Sequence, residues 1–244
     1  MPAFNEADGS HLVDLPTLTT FEGRLEPDGD YDGFDFDGLS LSGQRAHRAR
    51  LTQSRIHDCD MDEVDLRDAL IAECVFELVH AGALNMAGTS WRDVHIQQVR
   101  IGSLQVIDSV LTCVTARNTR LDLVNLRAAE LTDVRFEQCV ITDLDLGSAV
   151  ARRVSFVGCR IDHVACFQAD LEHVDFSRSE VGEFTDVGHL GGVVINTLQL
   201  AALAPAMASH LGLSVHDDDI SPADGGVARE DLHRRAVAER SGWS

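Results

Sequence analysis

Residues 121–145 read LDLVNLRAAELTDVRFEQCVITDLD, and every fifth residue of this stretch, beginning with Leu121, is a large apolar one. The same period extends outward in both directions, from Phe36 to Val181, without an insertion or a deletion. All thirty residues of this series are apolar, which has a chance probability of about 10⁻¹¹ at the overall apolar frequency of 44%. The period therefore marks a structural repeat.

A second series lies two residues before the first and consists mostly of small or β-branched residues, such as Ala129, Val134 and Cys139. The residue between the two series is usually polar. Two inward-facing residues in every five fit neither a helix of period 3.6 nor a long strand of period 2. They indicate a chain that turns a corner every five residues.

Side-chain size also varies along the sequence with a period of twenty residues. A column of small residues includes Ala129, Ala149 and Ala169, while another column holds half of the ten phenylalanines of the chain, namely Phe36, Phe76, Phe136, Phe156 and Phe176. Residues twenty apart should therefore lie directly above one another, so that four sides of five residues close one coil. The five phenylalanines are predicted to form a column in the core.

The chain carries 40 acidic and 20 basic residues, a formal net charge of −20, and all of the bases are arginines. Nucleic acid and anionic membranes are poor partners for such a chain, because both require a basic surface. No apolar stretch approaches the length of about 18 residues that spans a bilayer, and the start MPAFNEADGS does not resemble a secretory signal. The sequence predicts a cytoplasmic protein.

Patterns typical of catalysis or metal binding are missing from the sequence. The histidines are scattered, no GxSxG, HExxH, P-loop or GxGxxG pattern occurs, and the six cysteines form no CxxC pair. Four of the cysteines occupy small inward positions of the repeat, which favours reduced core thiols. The acids of the HDDD stretch at 216–219 are interpreted as solvated. We therefore expect no catalytic site, no cofactor and no metal.

Segments such as VDL at 64–66, VNL at 124–126, ADL at 169–171 and VDF at 174–176 resemble the pentapeptide-repeat family, whose pattern is a small residue, Asp or Asn, Leu or Phe, and two variable residues. The resemblance implies an all-β solenoid, a right-handed quadrilateral β-helix of about 7.5 to 8 coils with a C-terminal α-helical cap. Successive coils would be joined by parallel backbone hydrogen bonds.

We expect four segments: an N-terminal cap at 1–30, the β-helix at 31–186, a helical end cap at 187–215, and an acidic linker and tail at 216–244. The end-cap helix has four apolar residues at helical spacing, Leu200, Leu203, Met207 and Leu211. Asn196 or Thr197 can cap its start, Gly212 its end, and Pro205 should kink or divide it. This helix either plugs the open end of the rod or also pairs with a second copy.

The most acidic side of the predicted rod carries six outward acids beside the column of Leu121 and Ile141: Asp62, Glu63, Asp122, Asp143, Asp162 and Glu183. Three arginines, Arg100, Arg120 and Arg160, dilute this charge. The acids are candidates for a partner-binding face, although a solvated face that keeps the protein soluble explains them equally well.

Net charge, rod length and the C-terminal helix resemble the quinolone-resistance branch of the family, and the lack of loop insertions resembles its loop-free mycobacterial type. The resemblance implies a DNA mimic, dimeric through its C-terminal helix, that binds DNA gyrase or topoisomerase IV, with tolerance of fluoroquinolones or other topoisomerase poisons as a consequence. The alternative is an interaction scaffold for another protein, which would use a face of the rod or exposed apolar residues such as Ile107, Val110, Val140 and Phe167.

Overall fold

The computed structural model describes residues 13–214, which form a parallel β-solenoid of about eight coils followed by one α-helix. The strands are β1 (Thr19–Thr20), β2 (Asp30–Asp32), β3 (Phe34–Asp37), β4 (Arg50–Thr52), β5 (Arg55–His57), β6 (Leu70–Ala72), β7 (Val75–Glu77), β8 (His80–Asn85), β9 (Ser90–Gln97), β10 (Arg100–Gln105), β11 (Val110–Arg117), β12 (Arg120–Asn125), β13 (Glu130–Glu137), β14 (Val140–Asp145), β15 (Val150–Ala165), β16 (Asp170–Thr185) and β17 (Val193–Val194). A 3₁₀ turn at Val187–His189 precedes β17, and helix α1 spans Thr197–His210. The predicted tail at 216–244 lies outside the described residues.

Residues twenty apart pair in parallel through most of the solenoid. Leu121, for example, pairs with Ile141, which pairs with Ile161 on the following coil. The backbone groups of each coil are thus satisfied by the coils above and below it, as in a continuous parallel sheet. The predicted four-sided β-solenoid is confirmed. We number the four sides by their central apolar residue on one coil: Ala116 on the first side, Leu121 on the second, Leu126 on the third and Leu131 on the fourth. Residues that differ from these by multiples of twenty lie on the same side of other coils.

Most corners are made by one residue in the left-handed conformation, two positions after the central apolar residue. Asn118, Ala128 and Asp133 illustrate this on one coil, with φ between 52° and 56°. The corner between the second and third sides differs. It is left-handed at Gly43 and Glu63 but not at later equivalents, and strands such as β10 run straight through it.

The phenylalanine column lies on the first side of the core. The rings of Phe136 and Phe156 are 4.8 Å apart and those of Phe156 and Phe176 are 4.4 Å apart, all nearly parallel. Toward the N-terminus the column continues differently, because Ile56 separates Phe36 from Phe76 on neighbouring coils. The three C-terminal coils therefore share a continuous aromatic stack, and the N-terminal ones do not.

An enclosed apolar cavity of about 50 Å³ lies in the middle of the rod. It is lined by Ile96, Ala116 and Phe136 of the phenylalanine column, and by Trp91 and Met86 on other sides. Ala116 is the smallest residue of that column and stands between an isoleucine and a phenylalanine. The cavity arises at Ala116 because the backbone of the coil has a fixed perimeter and cannot move inward to fill the space left by the small side chain.

Both ends of the solenoid are covered. At the N-terminal end, the Phe21 ring packs 4.4 Å from Phe36 and 5.5 Å from Tyr31. Glu26 interrupts the apolar period there, and the neighbouring Leu25 is buried instead. Such covering matters because an open coil presents unpaired backbone groups to other chains.

Helix α1 covers the C-terminal end through polar contacts. Asn196 and Gln199 form a capping box at its start. The Gln199 side-chain amide also donates to the carbonyls of Phe176 and Ser179, and that of Asn196 donates to Ser177. These carbonyls belong to the last coil, so two amide side chains satisfy part of its exposed edge. The helix ends before Gly212, which has a φ of 69°, and it continues through Pro205 rather than dividing there.

Filling the cavity should stabilise the protein. We expect Ala116→Val to raise the free energy of unfolding by about 1 kcal/mol, the value of about 50 Å³ of cavity at about 24 cal/mol per Å³. Thermal unfolding followed by circular dichroism measures this. The control is Ala149→Val, since Ala149 is fully buried but does not line the cavity, and overpacking there should cost about 1–3 kcal/mol. If both substitutions destabilised the protein equally, the cavity at Ala116 would not be space that a larger side chain can fill.

Candidate functional site

The six acids singled out in the sequence lie at one corner of the rod, between the second and third sides. Asp62, Asp122 and Asp162 occupy one vertical column of this corner, and Glu63, Asp143 and Glu183 occupy the next. We call this set the acidic corner. The fold brings the six residues to the same edge because their numbers differ by multiples of about twenty.

The acidic corner is not continuous. Two neutral coils, with Gly82 and Gly102 in the first column, separate Asp62 and Glu63 from the other four acids. Gly102 is required by the close coil packing, since a Cβ there would come 2.6 Å from the carbonyl oxygen of Gly82. The remaining four acids, Asp122, Asp143, Asp162 and Glu183, form a row with one carboxylate per coil.

Several of these carboxylates have partners. Asp122 lies 3.4 Å from Arg120, and Asp162 lies 3.3 Å from Arg160. Glu183 lies 3.4 Å from a ring nitrogen of His163. The side chains of Asp122 and Glu183 remain more than half exposed, so water screens these ion pairs and a partner can still reach the carboxylates.

Asp62 has a structural role. Its Oδ1 accepts hydrogen bonds from the backbone amides of Gly82 at 2.7 Å and Ala83 at 3.0 Å. These bonds lie where the corner changes from a left-handed turn to a straight strand. Asp62 therefore holds the next coil in place, a role that its position in the repeat could not reveal.

A shallow groove that the sequence did not suggest runs beside the row of four acids. It has a volume of about 520 Å³ and includes Asp143, Asp145, His163, Asn125 and Leu123 in its lining. Asp143 and His163 occupy successive rungs of the same column. The groove exists because the corner is a straight strand here, which flattens the surface between the second and third sides.

Acids on other sides pair between coils. Asp35 accepts two hydrogen bonds from Arg55, at 2.9 and 2.8 Å, and Asp133 pairs in the same way with Arg153. The hydrogen bonds from these guanidinium groups lower the pKa of both carboxyl groups, against the opposing effect of burial. Such pairs reduce the charge available to a partner on the first and fourth sides.

A second candidate surface is the outer face of α1. Leu203 is buried against the end of the rod, whereas Leu200, Met207 and Leu211 are 50%, 39% and 68% exposed. Leu198 and Leu213, which lie outside the predicted apolar face, are exposed as well. The helix thus seals the solenoid with Gln199 and Leu203 and leaves most of its apolar residues outside.

The apolar residues considered for a scaffold do not form one patch. Val110 lies on the fourth side, Val140 on the second, and Ile107 and Phe167 on the third. Phe167 is the most exposed of them and contacts the His189 ring at 5.5 Å. Outside α1, the described residues therefore offer only isolated apolar side chains.

Thiols and metal ligands add no site of their own in the part of the chain that the structure describes. All six cysteines are free; Cys113 is exposed and the other five are buried. Burial raises the pKa of the Cys74 thiol to about 11. Residues 13–214 contain no group of three His, Cys, Asp or Glu side chains that could hold a metal ion, and none of their helices is long and apolar enough to cross a membrane.

Five-residue sides, four-sided coils and a twenty-residue register define the fold as a pentapeptide-repeat solenoid. No family model matches the sequence, and no curated protein matches it. Among solved structures, a trypsin-treated form of QnrB1, a plasmid-mediated fluoroquinolone resistance protein, is 16% identical with a TM-score of 0.34, over 81% of this chain and 96% of QnrB1.

HetL, a pentapeptide-repeat protein involved in heterocyst differentiation regulation in the cyanobacterium Nostoc, is 15% identical with a TM-score of 0.28. That match covers 64% of this chain and 78% of HetL. Scores of this size do not carry an argument about function. The assignment of the fold rests on the register and the repeat of this chain itself.

The paired acids predict how stability depends on pH. Because the folded-state pKa of Asp35 lies below its unfolded value of about 3.9, its bond to Arg55 stabilises the fold above that pH and is lost as the pH falls through the folded-state value. Asp35→Asn should therefore lower the melting temperature by about 2 °C at neutral pH. This difference should begin to shrink below about pH 4 and disappear as the pH falls through the lowered folded-state pKa of Asp35.

The control is Asp58→Asn, because Asp58 is an outward corner residue of the same side and forms no ion pair within residues 13–214. Thermal unfolding of the three proteins between acidic and neutral pH is the measurement. A deficit of Asp35→Asn that stays constant over this range would show that the ion pair does not contribute.

Proposed function

We propose that this protein is a non-enzymatic rod that binds a type II topoisomerase, DNA gyrase or topoisomerase IV, in place of a DNA segment. The proposal rests on the row of four carboxylates at Asp122, Asp143, Asp162 and Glu183, together with the family resemblance of the repeat. Fluoroquinolone tolerance is a consequence to test rather than a premise. A cytoplasmic location, which such a target requires, stays a prediction from the sequence.

Spacing of charge along the rod supports the proposal. Coils are separated by about 4.8 Å, so the row presents one carboxylate per 4.8 Å or so along the rod axis. One strand of B-DNA presents one phosphate per about 3.4 Å of its axis. The linear density of carboxylates along these coils is therefore comparable to that of phosphates along one DNA strand, so a surface that binds a DNA strand could also bind this row.

The surroundings of the row also favour a charged partner. Outward positions of the second side carry eight acids and three arginines, the largest excess of acid on any side of the rod. A shallow groove lined by Asp143 and His163 lies directly beside the row. A basic concave surface on the partner would cover several coils at once.

A supercoiling assay tests the proposal. Micromolar protein should inhibit supercoiling by gyrase, and the variant Asp122→Asn, Asp143→Asn, Asp162→Asn, Glu183→Gln should need a concentration about tenfold higher or more. The matched control changes four acids of the fourth side, as Asp93→Asn, Glu130→Gln, Asp170→Asn, Glu172→Gln, with the same change in net charge. Its inhibitory concentration should change by less than about threefold.

If micromolar protein leaves gyrase and topoisomerase IV unaffected, with and without a fluoroquinolone, the topoisomerase proposal is wrong. The second candidate, a scaffold for another protein, is then favoured by the exposed apolar face of α1. Binding through that face should resist salt, whereas binding through the acid row should weaken as ionic strength rises.

Dimerisation through α1 belongs to the same proposal. Leu200, Met207 and Leu211 recur on one face of the helix, and their exposure suits the seam between two antiparallel copies. A second copy packed there would align two rods end to end and extend the acidic surface. Exposure of so many leucines on one short helix otherwise costs solubility.

Analytical ultracentrifugation should give a mass near twice the 26.6 kDa of the chain. Leu200→Glu with Leu211→Glu should yield a monomer with an unchanged circular dichroism spectrum, because both side chains point away from the rod. The matched control is Leu198→Glu, on the opposite face of the helix. A monomeric parent protein, or a dimer that survives the double substitution, would refute this interface.

A further inference from the structure

The second side also carries a basic column, on the edge opposite to the acidic corner. His80, Arg100 and Arg120 lie on three successive coils in direct register. Neighbouring rungs are about 4.8 Å apart, and like charges directly opposite on neighbouring strands destabilise a sheet. The stacking of Arg100 on Arg120 is therefore a local electrostatic cost to the fold.

Nearby acids neutralise only part of the positive charge of this column. Arg120 lies 3.4 Å from Asp122, and its side chain is 63% exposed. His80 lies 3.8 Å from Asp60. Arg100, at the centre of the column, forms no ion pair or side-chain hydrogen bond with any residue in the range 13–214. Its five guanidinium donors face outward.

A ladder of amides lies beside the arginines. Gln98, Asn118 and Gln138 form the corner between the first and second sides, where their φ angles of 52° to 53° turn the chain. None of the three side chains forms a hydrogen bond within the described part of the chain. Arg100, Arg120 and these amides line one groove of about 840 Å³, which ends at Val140.

The groove is thus rich in donors on a rod that is otherwise acidic. Guanidinium and amide groups bind carboxylates well, and a guanidinium can do so with two parallel hydrogen bonds. Two steps of about 4.8 Å separate His80 from Arg120, so the groove accommodates only a few charges. Asp58 and Asp60 lie at the end of the groove beside His80. Beyond Val140 the column continues with Arg160, which lies 3.3 Å from Asp162.

We propose that this groove binds a short acidic segment of a partner protein, with Arg100 and Arg120 on its carboxylates and the amide ladder on its backbone or side chains. A nucleic acid fits less well, because a longer phosphate chain would meet Asp58 and Asp60 at the end beside His80. The proposal is independent of the topoisomerase proposal, which concerns the neighbouring corner of the same side.

A fluorescein-labelled hexa-aspartate peptide serves as the probe, with fluorescence anisotropy as the measurement. The peptide should bind at about 50 mM NaCl and weaken at about 300 mM. Arg100→Gln with Arg120→Gln should weaken binding by about tenfold or more. Both substitutions are at exposed outward positions, so an unchanged circular dichroism spectrum verifies the fold.

The matched control is Arg45→Gln with Arg127→Gln, which makes the same change of net charge on the third side and should alter the affinity by less than about twofold. Absence of peptide binding, or equal binding by both double variants, would overturn the proposal. Tighter binding of a six-nucleotide oligothymidylate than of the peptide would overturn it as well, because the groove would then be a phosphate site.

Discussion

The structure depends on one constraint, that residues twenty apart lie directly above one another. Each coil supplies the hydrogen-bonding partners of the next, so the backbone of an interior coil is satisfied only while this register holds. The two end coils lack a neighbour on one side. An aromatic group around Phe21 covers one end, and the amide side chains of Asn196 and Gln199 bond to carbonyls at the other.

Much of this fold could be read from the sequence, because inward and outward positions are fixed by a period that no insertion disturbs. Residue type and spacing alone predict the column of Phe136, Phe156 and Phe176 and the helix after the last coil. They do not predict how that helix is oriented. Gln199 is buried while Leu200 is half exposed, since unsatisfied edge carbonyls need donors that a leucine cannot provide.

The candidate surface was less predictable than the core. Position in the repeat identified the corner on which six acids would lie, but partners within hydrogen-bonding distance depend on rotamers and on local backbone shape. Asp62 bonds to two backbone amides where the corner straightens, and nothing in the pattern at Glu63 or Ala83 signals that change. The groove lined by Arg100 and Gln98 arises from side chains twenty residues apart, each of which looks like ordinary surface in the sequence.

The twenty-residue register also governs how such a rod can change in evolution. A single inserted residue would turn the inward side chains of all later coils outward, whereas five inserted residues would leave the core pattern intact. Those five would, however, rotate every later coil by a quarter turn and move Asp162 and Glu183 to a different side from Asp122. Surfaces on this scaffold can therefore be recombined in quarter-turn steps without a change in the composition of the interior.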